Sequence, residues 1–507
     1  MSELVLENTN ELPDNWILTD IESICHDPQY GYTTSAKSGG DIKFLRTTDI
    51  TSGQINWNTV PYCKKNPEDV EKYLLKNNDV VISRAGSIGY SYLIESPPKA
   101  VFASYLIRFN AIINSKFFSY FLQSPYYWKA ISETKIGIAV QNVNATKLKQ
   151  ILIPISPLNE QKRIVDKIEE LFSLIDSKME QLDNIQKQID TYEKSILFSA
   201  FNGILTHDWR LQHPEMKGDE TLEKSLEKRH ELWNEKQKSN KKPTKYIPPI
   251  RPSLSNLPKI PDMWTWASFE EISERVTVGF VSSMRNEYLE TGIPFLRSQN
   301  VRKNRFDEKG LKFVSQEFHA KLSKSKLSPN DVVAVRSGDV GVSCVIPDTL
   351  KNSNCSDLLI VKNPLGINPH FGAYYLNSIR ESRVRQQQVG IALTHFNTQS
   401  LAKLAIPIPH IEEQNILVEN IQKTYSLIEN IQKILKFSKL NLIGLKQSIL
   451  KQAFEGKLVP QDPNDEPAEI LLQKIKQEKE EYAEKIKQEK QQLKQKQKAS
   501  RSKKNVK

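Results

Sequence analysis

Gly137-Ile-Ala-Val-Gln-Asn-Val-Asn144, followed by Ile153-Pro154-Ile155 and then Glu160-Gln161, is a passage the chain writes twice. At an offset of 253 residues it reads Gly390-Ile-Ala-Leu-Thr-His-Phe-Asn397, Ile406-Pro407-Ile408 and Glu413-Gln414. The register continues through Ser195-Ile-Leu-Phe-Ser-Ala-Phe-Asn-Gly203 and Ser448-Ile-Leu-Lys-Gln-Ala-Phe-Glu-Gly456. Toward the start of each copy it drifts, to 252 at Asp79 and Asp331, 251 at Arg46 and Arg297, and 248 at Trp16 and Trp264. Over residues 79–94, 8 of 16 positions are identical in the second copy, which makes the match a duplication. Solenoid units are far shorter than this period, so two whole domains of one fold follow one another in the chain.

Within each copy the order is the same. A Leu-Pro-Asp-Asn-Trp16 or Ile-Pro-Asp-Met-Trp264 turn feeds short strands, and Tyr73–Ile94 and Phe313–Ile346 each carry a strand, a glycine turn and a strand. The turns are Arg84-Ala-Gly-Ser-Ile-Gly89 and Arg336-Ser-Gly-Asp-Val-Gly341. Helical stretches follow over Ser115–Ile131 and Pro369–Val384, then a second glycine-led strand, and Asn144 and Asn397 are placed as helix N-caps. This mixture makes an α+β domain. After Pro157 and Ile411 the pattern becomes long helix. One seam runs Ile164, Ile168, Leu171, Ile175, Leu182, Ile185, Ile189, Tyr192, Ile196, with Lys178 its polar member. The other runs Leu417, Ile421, Thr424, Ile428, Ile431, Leu435, Ser438, Leu442, Leu445, Ile449. Alternating steps of four and three specify coiled-coil packing. Neither helix can bury its stripe alone, so the two are expected to pair antiparallel, as a pseudo-dyad requires, and to end at Gly203 and Gly456.

The expected organisation is a globular domain over residues 1–155, a first long helix over 156–205, and a charged helix with a Pro-rich linker over 206–259. A second globular domain then covers 260–408, a second long helix 409–458, and a charged C-terminal helix with a basic tail 459–507. The charged helices are placed at Glu220–Lys238 and Asp465–Lys498, with Ala499–Lys507 disordered.

Net charge is +11, but Leu493–Lys507 holds seven Lys or Arg and no acid, which leaves the remainder at +4. An anion-binding surface on the domains must therefore be local. The four cysteines (Cys25, Cys63, Cys344, Cys355) form no C-x-x-C pair and lie at non-equivalent places in the copies, arguing against a zinc site or disulfide framework. No run of 18 apolar residues occurs, and a cytoplasmic protein without membrane association is expected.

Enzymatic signatures do not assemble. Asn368-Pro369-His370-Phe371 superficially resembles an adenine-methyltransferase motif, but it opens a helix, and its counterpart Asn114-Ser-Lys-Phe117 lacks that chemistry. The glycine turns lack the Lys-Ser/Thr of a phosphate loop, and no histidine pattern suits a metal. A non-catalytic chain with two equivalent binding domains suits a ligand that itself has a dyad, and duplex DNA is the commonest such ligand.

The duplicated Gly137…Asn144 and Gly390…Asn397 segments, the Ile-Pro-Ile and Glu-Gln helix heads, the Ala-Phe…Gly helix ends and Leu458-Val-Pro-Gln-Asp-Pro-Asn-Asp465 resemble the specificity subunit of type I restriction–modification systems. The resemblance covers roughly residues 12–485. It implies that each copy is a target recognition domain reading half of a bipartite site in double-stranded DNA, with the helices as spacer. It further implies docking of two adenine-modification subunits, and restriction/translocase subunits beyond them. No cofactor is expected in this chain; S-adenosylmethionine, ATP and Mg belong to the partner subunits. The basic tail is expected to be a solvated extension and not a specific DNA contact.

Reading bases calls for Arg or Lys on guanine and Asn or Gln on adenine, with other polar groups fixing register on phosphates. The candidates are Arg46, Arg84, Ser87, Lys135, Gln141 and Asn142 in the first copy, and Arg297, Arg336, Ser337, Thr394 and His395 in the second. Matched arginines equally suit structural ion pairs, whereas domains reading different bases should differ where they read. Gln141/Thr394 and Asn142/His395 are therefore the sharper specificity candidates. A DNA-independent two-domain assembly scaffold is the alternative reading.

Overall fold

The computed structural model describes residues 12–135, 142–238, 244–254, 257–284, 286–381, 386 and 396–504. The chain divides into two compact units. The first comprises Met1–Leu182 with Lys436–Lys507, the second Asp183–Leu435. Both are α+β, and both draw on the two long helices, Leu158–Phe201 and Ile411–Phe454, each of 44 residues.

In the first unit the strand Ile17–Asp20 pairs antiparallel with Leu152–Ile155, Ile17 opposite Ile155, so the domain closes beside the start of the first long helix. Two four-stranded sheets lie between. The strand Asp79–Ser83, buried throughout, runs between Leu106–Asn110 and Ser91–Leu93, with Gln29–Tyr30 on the outer side of Leu106–Asn110. In the other sheet Lys43–Leu45 is parallel to Ala100–Phe102 and antiparallel to Tyr62–Cys63. The second unit repeats the plan: Thr265–Ser268 pairs with Ala405–Ile408, and Val332–Val335 lies between Leu358–Pro364 and Ser343–Val345. Ile293–Leu296 is parallel to Ser353–Cys355. The four cysteines are free and buried, and burial pushes the Cys344 thiol up to about 12 and the Cys63 thiol up to about 11.

Asn144 and Asn397 cap their helices as expected, accepting the amides of Lys147 at 2.9 Å and Ser400 at 3.0 Å. The single helix expected over Ser115–Ile131 is two, Ser115–Phe121 and Pro125–Lys135. Pro125 disfavours a helical conformation at the residue before it, so the chain breaks at Ser124. In the second copy Pro369–Glu381 forms the corresponding helix. The expected glycine-led strands at Gly137 and Gly390 lie outside the described residues.

The repeated Glu-Gln is a structural clamp. Glu160 and Gln161, like Glu413 and Gln414, are completely buried at the heads of the long helices. The Trp16 indole donates to both carboxylate oxygens of Glu160 at 3.1 Å, and Gln461 donates at 2.7 Å. Burial raises the Glu160 carboxyl above its ordinary range, against the pull of these two donors. In the second unit the Trp264 indole donates to Glu413 at 2.9 Å, and the Thr206 hydroxyl and Arg210 guanidinium share its other oxygen at 2.6 and 2.5 Å. The neighbouring glutamines fasten an earlier helix by its first residues: Gln161 accepts the Asn114 amide at 3.1 Å, and Gln414 accepts the Asn368 amide at 2.9 Å.

Each unit packs the head of one long helix against the tail of the other. Ile164, Ile168 and Ile175 share a core with Ile449, Leu450, Ala453 and Phe454. Leu417, Val418 and Ile421 share the second core with Ile196, Leu197, Ala200 and Phe201. The pairing is antiparallel. Phe454 sits against Phe117 and Phe121, with ring centroids 5.0 and 5.4 Å away, and Phe201 against Phe371 and Tyr375 at 5.1 Å each. Just beyond, Gly203 and Gly456 take φ of +73° and +69°, and a Cβ there would fall 2.4 Å from Pro261 and 2.5 Å from Pro13. Each long helix thus ends against the Pro-Asp-x-Trp turn of the copy it does not belong to. The following helices, Gly218–Lys238 and Ala468–Lys504, are anchored alike: Gly218 donates to the Met263 carbonyl at 2.8 Å, and Ala468 to Asn15 at 3.0 Å.

The seam differs from the strict heptad in its middle. Lys178, Ile185, Tyr192 and Leu445 face solvent, while Met179, Gln186, Glu193 and Lys446 turn partly inward. A straight helix drifts about 20° per heptad from a 3.5-residue repeat, so the inward face moves on by one residue. Lys446 pairs with Asp176 at 2.5 Å and lies over the Phe172 ring; Glu193 pairs with Lys303 at 2.9 Å. The C-terminal helix also continues to Lys504, past the expected end at Lys498 and into the stretch expected to be disordered.

Replacing Glu413 by Ala strands a buried guanidinium, whereas Glu160→Ala removes an anion whose hydrogen-bonded partners are neutral. Glu413→Ala is expected to cost about 3–5 kcal/mol and Glu160→Ala about 1–3 kcal/mol, measured by urea unfolding; equal costs would contradict this account.

Candidate nucleic-acid interface

The glycine turn that joins Asp79–Ser83 to the edge strand Ser91–Leu93, and Val332–Val335 to the edge strand Ser343–Val345, has glycines of matching φ in both copies. Gly86 and Gly89 take φ of +74° and +90°, Gly338 and Gly341 +88° and +87°. In the first copy a Cβ on Gly89 would press on Ile131 at 3.1 Å, and the Gly89 carbonyl accepts the buried Tyr127 hydroxyl at 2.9 Å. The turn is thereby fastened to the helix Pro125–Lys135, at whose last residue Lys135 stands.

Arg84 is the junction of this edge. Its amide donates to Tyr105 at 2.9 Å, its carbonyl accepts from Val143 at 2.9 Å, and Ala85 bridges to Asn142. Its guanidinium lies over the Tyr30 ring, 5.2 Å from the centroid, and the Tyr30 hydroxyl accepts the Ala145 amide at 2.9 Å. The fold therefore brings Arg84 and Asn142, far apart in sequence, to one place beside the exposed Tyr30 and Tyr105, with Asn142 itself exposed. Ser87 is half-buried within the same turn. A cation, a side-chain amide and open aromatic rings are the equipment that phosphate and base contacts need.

The second copy departs at this point. Arg336 is held by Asp357 at 3.1 Å, and Asp357 occupies the place of Tyr105. Arg380 is paired with Asp339 of the turn, while Ser337 is exposed. One copy thus presents Arg84 against an aromatic ring, the other a neutralised Arg336.

Arg46 and Arg297 each make contacts within their own loops. Arg46 binds Asp49 through two guanidinium bonds of 2.8 and 3.0 Å, and its amide meets the same carboxylate at 2.8 Å. Asp49 accordingly holds the Arg46 guanidinium above its ordinary value. Arg297 donates to the Gly310 carbonyl at 2.7 Å and lies over Tyr288, with Asn300 in the place of Asp49. Both arginines brace loops. Gln141, Thr394 and His395 lie outside the described residues. Tyr30 and Tyr105 were missed in the sequence because neither belongs to a repeated motif; their counterparts Val278 and Asp357 are of different chemistry. That non-equivalence was the available signal.

Residues 13–187 and 264–436 each match the family model of the type I restriction modification DNA specificity domain. The chain belongs to this family. It is 23% identical to the specificity subunit of the EcoBI type I restriction enzyme of Escherichia coli over 502 residues, covering 94% of this chain and 96% of that one. It is 22% identical to the EcoKI specificity subunit of Escherichia coli strain K12, covering 93% and 97%. Among solved structures, a chain from work on complex assembly and conformational transition of the type I R-M system superposes with a TM-score of 0.61 at 17% identity, covering 88% of this chain and 99% of that one. The HsdS subunit from Thermoanaerobacter tengcongensis gives 0.54 at 16% identity, covering 88% and 98%. These likenesses establish the fold.

Arg84→Ala is expected to weaken duplex binding by the assembled protein by about 1–3 kcal/mol. Arg46→Ala is expected to lower stability by about 1 kcal/mol and leave affinity unchanged. Titrating both variants with duplex DNA and unfolding both in urea checks the division; equal losses of affinity would reject it.

Proposed function

We propose that the chain is the sequence-specific DNA-binding subunit of a type I restriction–modification assembly, each repeat reading one half of a bipartite target. The observation that carries this reading is the coincidence of the internal duplication with two separate matches to the DNA specificity domain. Divergence between the copies supports it further. The backbone of the turn is shared, but Arg84 faces Tyr30 in one copy and Arg336 faces Asp357 in the other. Two readers of different half-sites should keep the scaffold and change such surroundings.

The long helices also carry exposed large apolar side chains. Leu174, Phe437, Leu440 and Ile443 are each more than half exposed in the first unit, as are Leu427 and Ile434 in the second. Contiguous exposed apolar surface marks protein docking, which suits two adenine-modification subunits on the helices and restriction/translocase subunits beyond them. Those partners would bring S-adenosylmethionine, ATP and Mg, and this chain would supply recognition alone. No described helix is long and apolar enough to cross a membrane.

Two outcomes are expected. Purified without partners, the chain should neither methylate nor cut DNA; methyl transfer by such a preparation would defeat the assignment. Replacing residues 12–155 by the corresponding domain of another family member should change one half of the methylated sequence and leave the other intact, while lengthening both helices should change the number of unread bases between the halves. Mapping methylated sites in cells that express the altered chain with its modification partner is the measurement. If both halves change together, independent reading is wrong.

A further inference from the structure

We infer that the distal half of the C-terminal helix is a phosphate-binding arm for duplex DNA held by the first domain. This rests on the DNA-binding reading above and adds a second, sequence-independent contact to it. The helix Ala468–Lys504 has 37 residues, and its two parts differ in packing and in charge. The proximal part is docked. Ala468 is hydrogen-bonded to Asn15, Leu471 and Ile475 are buried in the core with Ile21 and Ile24, Lys479 donates to the Glu22 carbonyl, and the Tyr482 ring lies 4.4 Å from His26. Beyond Tyr482 the helix continues with Lys485 and Lys487 exposed.

The sign of charge changes at this departure. Residues 468–484 hold five acids and three lysines, whereas residues 485–507 hold ten Lys or Arg and one acid, Glu489. Ile486 and Leu493 are the only large apolar residues between 485 and 504, too few for the apolar face by which a helix docks on protein. Residues 485–504 span about 30 Å at 1.5 Å per residue, close to the ~34 Å of one duplex turn, along which phosphates supply one charge per ~1.7 Å. The point of departure also fits. His26, where the docked part ends, lies four residues before Tyr30, whose ring carries Arg84. The arm therefore leaves the domain beside the strand leading into the edge that presents Arg84, Tyr105 and Asn142. Lys149, in the helix capped by Asn144, flanks the same place through its pairs with Glu22 and Asp27.

The test uses the full chain assembled with its modification partners, a chain ending at Glu484, and a full-length variant with Lys485, Lys487, Lys490, Lys494, Lys496 and Lys498 changed to Gln. Each is titrated with a random-sequence duplex and with the target mapped by methylation, over a range of salt, and its assembly is followed by mass. Both variants are expected to assemble normally and keep the ratio of target to random affinity. They should lose about tenfold in affinity for both duplexes at low salt, with the slope of log affinity against log salt flatter by about 3. Unchanged slopes overturn the inference, and so does loss of partner assembly, which would make the arm a protein-docking element. A full-length complex without sequence preference would defeat the underlying reading as well; a preference kept together with unchanged affinity and salt slope in both variants defeats this inference alone.

Discussion

Glu413 is sealed from solvent at the head of a 44-residue helix and met there by an indole, a hydroxyl and a guanidinium. A buried carboxylate so placed is tolerable only while all its partners are in position. Those partners come from the start of the domain (Trp264) and from the segment following the other long helix (Thr206, Arg210). Glu160 makes the corresponding demand with Trp16 and Gln461. Neither globular domain is therefore complete on its own stretch of chain. Each needs its own helix head, the other helix's tail and the residues just beyond that tail, and Phe201 and Phe454 fill the remaining space between aromatic rings.

This explains why the most faithfully repeated parts of the sequence are not those that face a ligand. Glu-Gln, Ala-Phe…Gly and Pro-Asp-x-Trp recur because they interlock, and a change in one would strand a buried polar group or fill the place of a proline ring. The regions around Arg84 and Arg336 are freer. Their glycine turns share φ, but what faces the arginine differs, Tyr30 in one copy and Asp357 in the other.

Much of this was legible in the sequence. The duplication, the α+β class, the strand–turn–strand units, the capping asparagines and the terminal glycines follow from spacing and local stereochemistry. The seam was readable at Ile164, Ile168, Ile175, Leu417, Ile421, Ile428 and Leu435, where several turns of apolar spacing agree with burial. It failed at Lys178 and Leu445, because a strict heptad ignores the drift of a real helix and an amphipathic lysine such as Lys446 can lie across an aromatic ring. At the candidate interface, the matched pair Arg46 and Arg297 drew attention through recurrence, and both are held within their own loops. The meeting of Arg84 with Asn142 and Tyr30 depends on which strands pair, and local pattern does not encode that.

Gly456 lies against Pro13 just as Gly203 lies against Pro261, and the helices beyond are tied by the same amide to Asn15 and to Met263. In the folded molecule the residues after the second repeat thus stand to the first as the residues after the first stand to the second. The order of the two domains along the chain is therefore not what the clamps depend on. A chain opened in the Pro-rich segment and rejoined from beyond the C-terminal helix to the residues before Pro13 would keep Glu160 with Trp16 and Gln461, and Glu413 with Trp264, Thr206 and Arg210.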